Sequence, residues 1–135
     1  MDQTSESVAD LSDLVPEDSA EVELRHPVTG AGLGMYITVC GTDSQRYRDA
    51  QRKILDRRVS KATKSGLKAA LSPEIVEDEI LGQLVACTLG WRGIREGGKE
   101  IVYSPGAAED LYRRFRWIRE QIDAAIGDRS RFFVS

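Results

Sequence analysis

The sequence predicts an α+β fold that is mostly helical. Two Ser-Pro dipeptides, Ser72-Pro73 and Ser104-Pro105, each precede a run in which apolar residues recur at helical spacing. Short segments typical of β-strands lie before and between these runs. The predicted order is an N-terminal β-hairpin, a basic helix, a core helix, a short β-hairpin, and a C-terminal helix or helix pair.

The composition is that of one soluble globular domain. The 135 residues are 41% hydrophobic and 30% charged, the usual balance for a small folded domain. No run approaches the roughly 20 apolar residues that span a bilayer. The N-terminus also lacks the basic and apolar regions of a signal peptide. We therefore expect a protein that stays in the cytosol where it is made, with no membrane partner.

Charge is distributed unevenly. Residues 1–24 carry eight acidic residues and no basic ones, so all 19 basic residues follow them. Residues 1–19 contain too few apolar side chains to offset the entropy of ordering and are predicted to be a disordered acidic tail. Residues 20–135 are predicted to form a single domain. Within the tail, the spacing of Val8, Leu11, Leu14 and Val15 would suit a short amphipathic turn that docks on a partner or on the domain.

The first predicted elements are a hairpin and a basic helix. Alternation in Ala20–Arg25 and β-branched residues in Met35–Cys40 predict two strands. A capping box at Thr42 and Gln45 predicts a helix over residues 43–64. Its apolar stripe is narrow, and the segment 43–68 contains nine basic residues against three acidic ones.

The second half predicts a core helix, a short hairpin and a C-terminal helix. The core helix extends from Ser72 to about Gly90 and has a wide apolar face. Trp91–Ile94 and Glu100–Tyr103 are predicted to pair around a Gly-Gly turn. The last helix, continuous or bent once, ends at Gly127. Its apolar positions are Ala108, Leu111, Phe115, Ile118, Ile122 and Ala125.

No motif indicates catalysis. The single histidine, His26, lies beside Pro27 in a predicted turn, which favours a surface residue over a catalytic one. Gly30–Gly34 lacks the phosphate-loop pattern, and Cys40 and Cys87 are predicted to be buried free thiols. The acidic residues Glu74, Glu77, Asp78 and Glu79 suit the first turns of a helix better than a metal site. We therefore expect no enzyme, no cofactor and no metal.

Two surfaces are open to more than one interpretation. The basic helix over 43–68 could bind a polyanion, but the sequence pI of about 5.3 and the absence of interleaved aromatics favour a solvated face. The aromatic residues of the second half are expected to pack in the core, although some, Trp117 above all, could instead lie in a partner groove. These aromatics are Trp91, Tyr103, Tyr112, Phe115 and Trp117.

The second half contains a series of short motifs: LGWRGI at 89–94, a turn at 98–99, IVYSP at 101–105, WIREQI at 117–122 and RFF at 131–133. In this order the motifs resemble those of the tail assembly chaperones of long-tailed bacteriophages. The resemblance implies a protein of the host bacterial cytoplasm that is absent from the mature virion. Its implied partners are the tape measure protein, which it keeps soluble, and the tail tube protein, which it helps to recruit.

An amphipathic surface formed by the core helix and the C-terminal helix would suit such a client. The candidate protein-binding residues are Trp91, Leu111, Phe115, Trp117, Ile118, Ile122 and Phe132. Two other functions stay open: a small connector or adaptor retained in the phage particle, and a nucleic-acid-associated regulator that uses the basic helix. Oligomeric state is left open by the sequence.

Overall fold

The computed structural model describes residues 8–133 of the chain. These residues form five α-helices and two antiparallel sheets, which confirms the predicted α+β fold. The helices are α1 (Gln45–Ser65), α2 (Leu67–Ala70), α3 (Pro73–Ala86), α4 (Pro105–Arg114) and α5 (Arg116–Ile126). The strands are β1 (Ser19–Arg25), β2 (Gly32–Cys40), β3 (Thr88–Arg92), β4 (Arg95–Glu96) and β5 (Lys99–Glu100).

The larger sheet has the order β1-β2-β3. The predicted N-terminal hairpin is confirmed, with Val22 opposite Ile37. The pairing predicted for Trp91 was wrong, because Trp91 lies opposite Ile37 on the other edge of β2. The second hairpin is reduced to the two pairs of β4 and β5. A third strand gains ladder hydrogen bonds and burial that an isolated two-stranded hairpin lacks.

Helix α1 begins two residues later than predicted. Ser44, not Thr42, is the N-cap, and its Oγ accepts from the backbone N–H of Tyr47 at 3.1 Å. The same hydroxyl donates to the carbonyl of Gly41 at 2.7 Å, which closes the turn after β2. Gln45 therefore has no capping role, and its side chain donates to Asp49 within the helix.

The core helix α3 is shorter than predicted. It ends at Ala86, and Cys87 is its C-cap. Thr88, predicted to be helical, instead begins β3 opposite Val39. The Thr88 hydroxyl also donates a hydrogen bond to the carbonyl of Leu84 in the last turn of the helix, at an Oγ1–O distance of 2.7 Å. Pairing with β2 therefore overrides the helical pattern, since helix propensity is weak against tertiary contacts.

The C-terminal helix is a pair of helices that meet at Phe115. This residue has extended backbone angles, and its N–H donates to the carbonyl of Leu111 as the last bond of α4. Its own carbonyl accepts from Ile118 and begins α5. Gly127 is the C-cap of α5, as predicted.

The core lies between one face of the sheet and helices α3, α4 and α5. The sheet contributes alternate residues, as the two-residue period of strands requires. The largest fully buried side chains are those of Tyr112, Leu24, Ile37, Leu81, Leu84, Ile94 and Ile122. Helix α1 packs along one stripe in which Ala50 is buried and Ile54 and Arg58 are half-buried, while Leu55 and Val59 of its predicted apolar stripe are exposed.

The acidic N-terminal segment lies on the surface where it is described. Residues 1–7 of the predicted disordered tail lie outside the described residues. From Val8 the chain forms one short 3₁₀ turn at Leu11–Asp13, and Glu17 N–H then donates to the carbonyl of Phe132 at 2.6 Å. Leu11 and the other apolar side chains of the segment are exposed, so they dock on no part of the described domain.

Substitution of Leu84 tests the position of the core. Leu84→Ala is expected to lower the free energy of unfolding by about 2–5 kcal/mol, because it leaves a cavity beneath the sheet. Leu55→Ala removes the same atoms from an exposed site. It should change the free energy of unfolding by no more than about 0.5 kcal/mol. Urea denaturation of both variants checks this. Equal losses would contradict the placement of α3 at the centre.

Tyr112 is expected to make stability depend on alkaline pH. Burial raises the pKa of Tyr112 to about 12 from its ordinary value of 10. A phenol with a raised folded-state pKa contributes stability that is complete below pH 10 and is lost as pH rises toward 12, because the unfolded chain ionises first. In urea denaturation, the stability of the wild type relative to Tyr112→Phe should therefore fall between about pH 10 and pH 12.

The control is Tyr36→Phe, because Tyr36 lies on the face of the sheet opposite the core, where Arg92 stacks on its ring. Its stability relative to the wild type should not follow the same pH dependence. If the difference between wild type and Tyr112→Phe is constant with pH, Tyr112 is not buried as described.

Candidate protein-binding groove

The polar groups singled out from the sequence have structural partners. His26 is exposed at the hairpin turn, and its Nδ1 accepts from the backbone N–H groups of Val28 and Thr29 at 3.1 and 3.2 Å. The glycine-rich stretch spans the end of the β1–β2 connection and the start of β2, and Gly30 and Gly34 have the positive φ angles that favour glycine. Neither feature has the geometry of a nucleophile–base pair or a phosphate loop.

The acidic residues of α3 bind arginines of three neighbouring helices. Glu79 accepts from Arg58 of α1, Asp78 from Arg113 of α4 and Glu77 from Arg119 of α5. Within residues 8–133, no group of three or more potential metal ligands converges on one point. These carboxylates therefore join α3 to its neighbours.

The two cysteines are buried and free, as predicted. They are also neighbours, because the N–H of Cys40 at the end of β2 donates to the carbonyl of Cys87 at 2.9 Å. The interaction between the two side chains lowers the pKa of Cys40 and raises the pKa of Cys87. The pair packs where α3 meets the sheet, and solvent reaches neither thiol.

An apolar groove of about 390 Å³ lies at the junction of α4 and α5. We call it the aromatic groove. The two hairpins form one side and the helix junction the other. Its lining residues are His26, Pro27, Leu33, Met35, Ile94, Arg95, Glu96, Ile101, Leu111, Phe115, Trp117 and Ile118.

The break between α4 and α5 gives the groove its aromatic side. Phe115 and Trp117 are half-buried, with their ring centroids 6.4 Å apart in an edge-to-face arrangement. Leu111 and Ile118, one turn away on either helix, are buried and form the floor. Half-exposed aromatic rings over a buried aliphatic floor are typical of binding hot spots.

A set of charged residues fixes the rim of the groove. Arg114 binds Glu96 of the short hairpin through two hydrogen bonds of 2.8 and 2.9 Å, and it also pairs with Asp110. The guanidinium lies 4.9 Å from the centre of the Phe115 ring. This arginine holds the pKa of Glu96 below its usual value. One edge of an otherwise apolar groove is therefore ionic.

Two further contacts hold α5 and the short hairpin in place around the groove. The Gln121 amide of α5 donates to the carbonyl of Arg25 and accepts from its N–H, at 2.8 and 2.9 Å, which ties α5 to the end of β1. Gly93 passes so close to β2 that a Cβ there would lie 2.5 Å from the Gly34 carbonyl oxygen. Only glycine fits this approach, and it sets the position of the short hairpin.

The structure brings together four of the seven candidate protein-binding residues. Leu111, Phe115, Trp117 and Ile118 line the aromatic groove. Ile122 and Phe132 are buried in the core, away from its lining. Their role in binding is still a prediction, and in the described domain they supply packing.

Trp91 lies beside the core rather than in the groove. Its Nε1 donates to the carbonyl of Ile101 at 2.8 Å, and its ring meets Tyr103 edge to face at 5.1 Å. It therefore holds the segment after β5 against the sheet, which places Ile101 in the groove lining.

The sequence did not identify the groove residues that come from the hairpins. Leu33 and Met35 alternate along β2 toward this side of the sheet, and the sequence assigned them only to a turn and a strand. Their alternation was visible in the sequence, but the helix junction that they face was not.

No match to the chain was found among protein-family models, curated proteins or solved structures. Within residues 8–133, no helix has both the length and the apolar character that crossing a bilayer requires.

Two single substitutions distinguish a buried residue of the groove from a partly exposed one. Leu111→Ala is expected to lower the free energy of unfolding by about 2–5 kcal/mol, because Leu111 is buried. Trp117→Ser should cost about 1 kcal/mol, since the Trp117 ring is only half-buried at the edge of the core. Thermal and urea denaturation give both values. A larger loss for Trp117 than for Leu111 would show that Trp117 belongs to the core.

Proposed function

We propose that this chain is a tail assembly chaperone of a long-tailed bacteriophage or of a prophage-like tail cluster. In this proposal it is a non-enzymatic protein of the host bacterial cytoplasm that is absent from the mature virion. It binds an apolar helical segment of the tape measure protein, keeps that protein soluble and helps to recruit tail tube subunits.

The observation that carries the proposal is the aromatic groove. The motif segments that resemble the chaperone family supply its Ile94, Ile101, Trp117 and Ile118. An open apolar groove with two half-exposed rings fits one face of an amphipathic helix. In this proposal the tape measure protein is a long apolar helix whose surface must be covered before the tube forms around it.

The ionic rim suits a client that must later be released. The pair between Arg114 and Glu96 is exposed, so it contributes orientation more than affinity. The binding energy is therefore expected to come from the apolar floor and the two rings. Such a groove releases its client when a tail tube subunit covers the same apolar surface more extensively.

Co-expression with the tape measure protein encoded in the same gene cluster tests the proposal. The wild-type chain should increase the soluble fraction of the tape measure protein and be recovered with it. The double substitution Phe115→Ser with Trp117→Ser should abolish both effects, because it removes the apolar rings from the groove. Soluble and pelleted tape measure protein, measured by immunoblot, give the result.

Arg116→Ala is the matched control, because Arg116 lies between the two aromatics in the sequence but is largely exposed to solvent. It should behave as the wild type does. The proposal fails if the wild type neither solubilises nor binds the tape measure protein. It also fails if the chain is a stoichiometric component of purified mature particles, which would indicate a connector or adaptor.

A further inference from the structure

Helix α1 carries a row of basic side chains along one side. Positions that recur at spacings of seven, four, four and three residues lie on the same side of an α-helix. Five exposed basic residues of α1 recur in this way: Arg46, Lys53, Arg57, Lys61 and Lys64. We call these five residues the basic row. At a rise of about 1.5 Å per residue, the row extends about 27 Å along the helix.

The charge of the basic row is not neutralised by ion pairs. Within residues 8–133, none of its five members takes part in a salt bridge. Arg46 donates to the main-chain carbonyl of Ala86, at the end of α3, at 3.2 Å. Asp49 and Asp56 lie on the flank of α1 that faces away from α3, about a quarter of a turn from the row. Positive charge is therefore in excess along this side of the helix.

The basic row borders α3 across two shallow depressions of about 400 Å³ each. Four members of the row line them, and the small residues Gly82 and Ala86 of α3 form part of the opposite wall. Two carboxylates of α3 also reach the second depression, but Asp78 binds Arg113 and Glu79 binds Arg58. A long anionic chain therefore has steric access to the row, beside carboxylates that are already paired.

The acidity of the whole chain does not describe this side of the molecule. Eight of the 22 acidic residues lie in residues 1–24, which contain no basic residue. The sequence pI of about 5.3 averages that acidic segment with the rest. Because charges on a surface act mainly over about a Debye length, a partner that contacts the row experiences the local charge.

The chemistry of the row favours a nucleic-acid duplex over other anionic partners. Lysine, which supplies three of the five members, is depleted at the core of protein–protein interfaces. A helix that binds a membrane surface inserts apolar side chains, whereas the exposed Leu55 and Val59 lie on the opposite side of α1. Single strands are held largely by stacking on aromatic rings, and the row contains none. A duplex offers one phosphate charge per about 1.7 Å and is bound by Lys and Arg alone.

We propose that the basic row binds the phosphate backbone of a nucleic-acid duplex. Its five side chains contact phosphates along a stretch of about eight base pairs, the length of duplex that 27 Å spans. Contacts to phosphates position a protein on a duplex but carry no sequence information. The row lies outside the aromatic groove, and the proposal does not rest on the proposed function.

Fluorescence anisotropy of a labelled duplex DNA of 20 base pairs and mixed sequence, titrated with the full chain, tests the proposal. At 50 mM salt the wild type should bind with a Kd between about 1 and 100 µM. The logarithm of the association constant should fall with the logarithm of salt concentration with a slope of about −4.5, because five phosphates release their counterions. A duplex RNA of the same length is the second arm. Binding of either supports the phosphate contact, and the tighter one identifies the source.

Two double substitutions on the same helix locate the contact. Lys53→Gln with Lys61→Gln should weaken binding about tenfold at 50 mM salt and make the slope shallower by about two, because two phosphate contacts are lost. Arg48→Gln with Arg52→Gln is the matched control, since it removes the same charge from the opposite side of α1. Its Kd should stay within about twofold of the wild type, with the same slope. Far-UV circular dichroism should show that both variants keep the wild-type helix content.

Four outcomes would overturn the proposal. The first is no change in anisotropy with either duplex at 50 mM salt and 100 µM chain. The second is an equal loss of affinity in the two double variants, which would indicate a diffuse charge effect. The third is tighter binding of a single strand of the same length. The fourth is displacement of the duplex by poly-L-glutamate at an equal or lower concentration of negative charge, which would assign the row to an acidic polypeptide.

Discussion

The architecture depends on a hydrogen-bonded junction at Thr88, the buried polar residue among those described. Its hydroxyl bonds to the Leu84 carbonyl and to the Tyr112 hydroxyl, each at 2.7 Å. Its carbonyl accepts from Tyr103 at 2.8 Å. Thr88 therefore follows the end of α3 and begins β3. Through Tyr112 it also contacts α4, and through Tyr103 it contacts the segment that precedes α4. Because buried polar groups are costly when unpaired, the elements at this junction have little freedom to move separately.

The aromatic groove is a consequence of that junction. Tyr112 fixes the last turn of α4, so the chain reaches Phe115 at a set position and turns into α5 there. Arg114 then reaches the short hairpin, and Gln121 reaches the end of β1. The groove occupies the angle that remains between the two helices and the hairpins. Its apolar lining is thus supported by polar contacts outside it, an arrangement that keeps a binding surface open without a ligand.

Local chemistry in the sequence predicted most of the elements but not how they pair. The two Ser-Pro starts, the first hairpin, the buried cysteines and the stop at Gly127 were all predicted correctly, because each depends on residues near in sequence. The third strand was predicted at Trp91–Ile94 but was given the wrong partner and a late start, since Thr88–Leu89 continue a helical pattern and only pairing with β2 reveals their role. The break at Phe115 has no proline or glycine to signal it. For the same reason the sequence identified Phe115 and Trp117 as candidates but could not separate them from buried Ile122 and Phe132.

The central claim is that the aromatic groove receives an apolar helical segment of a partner. Hydrogen–deuterium exchange of the full chain, with and without a peptide from an apolar helical segment of the tape measure protein, tests it most directly. Added protection is expected at residues 94–101 and 111–118, with no change in the exposed part of α1. Protection confined to α1, or none at saturating peptide, would contradict it.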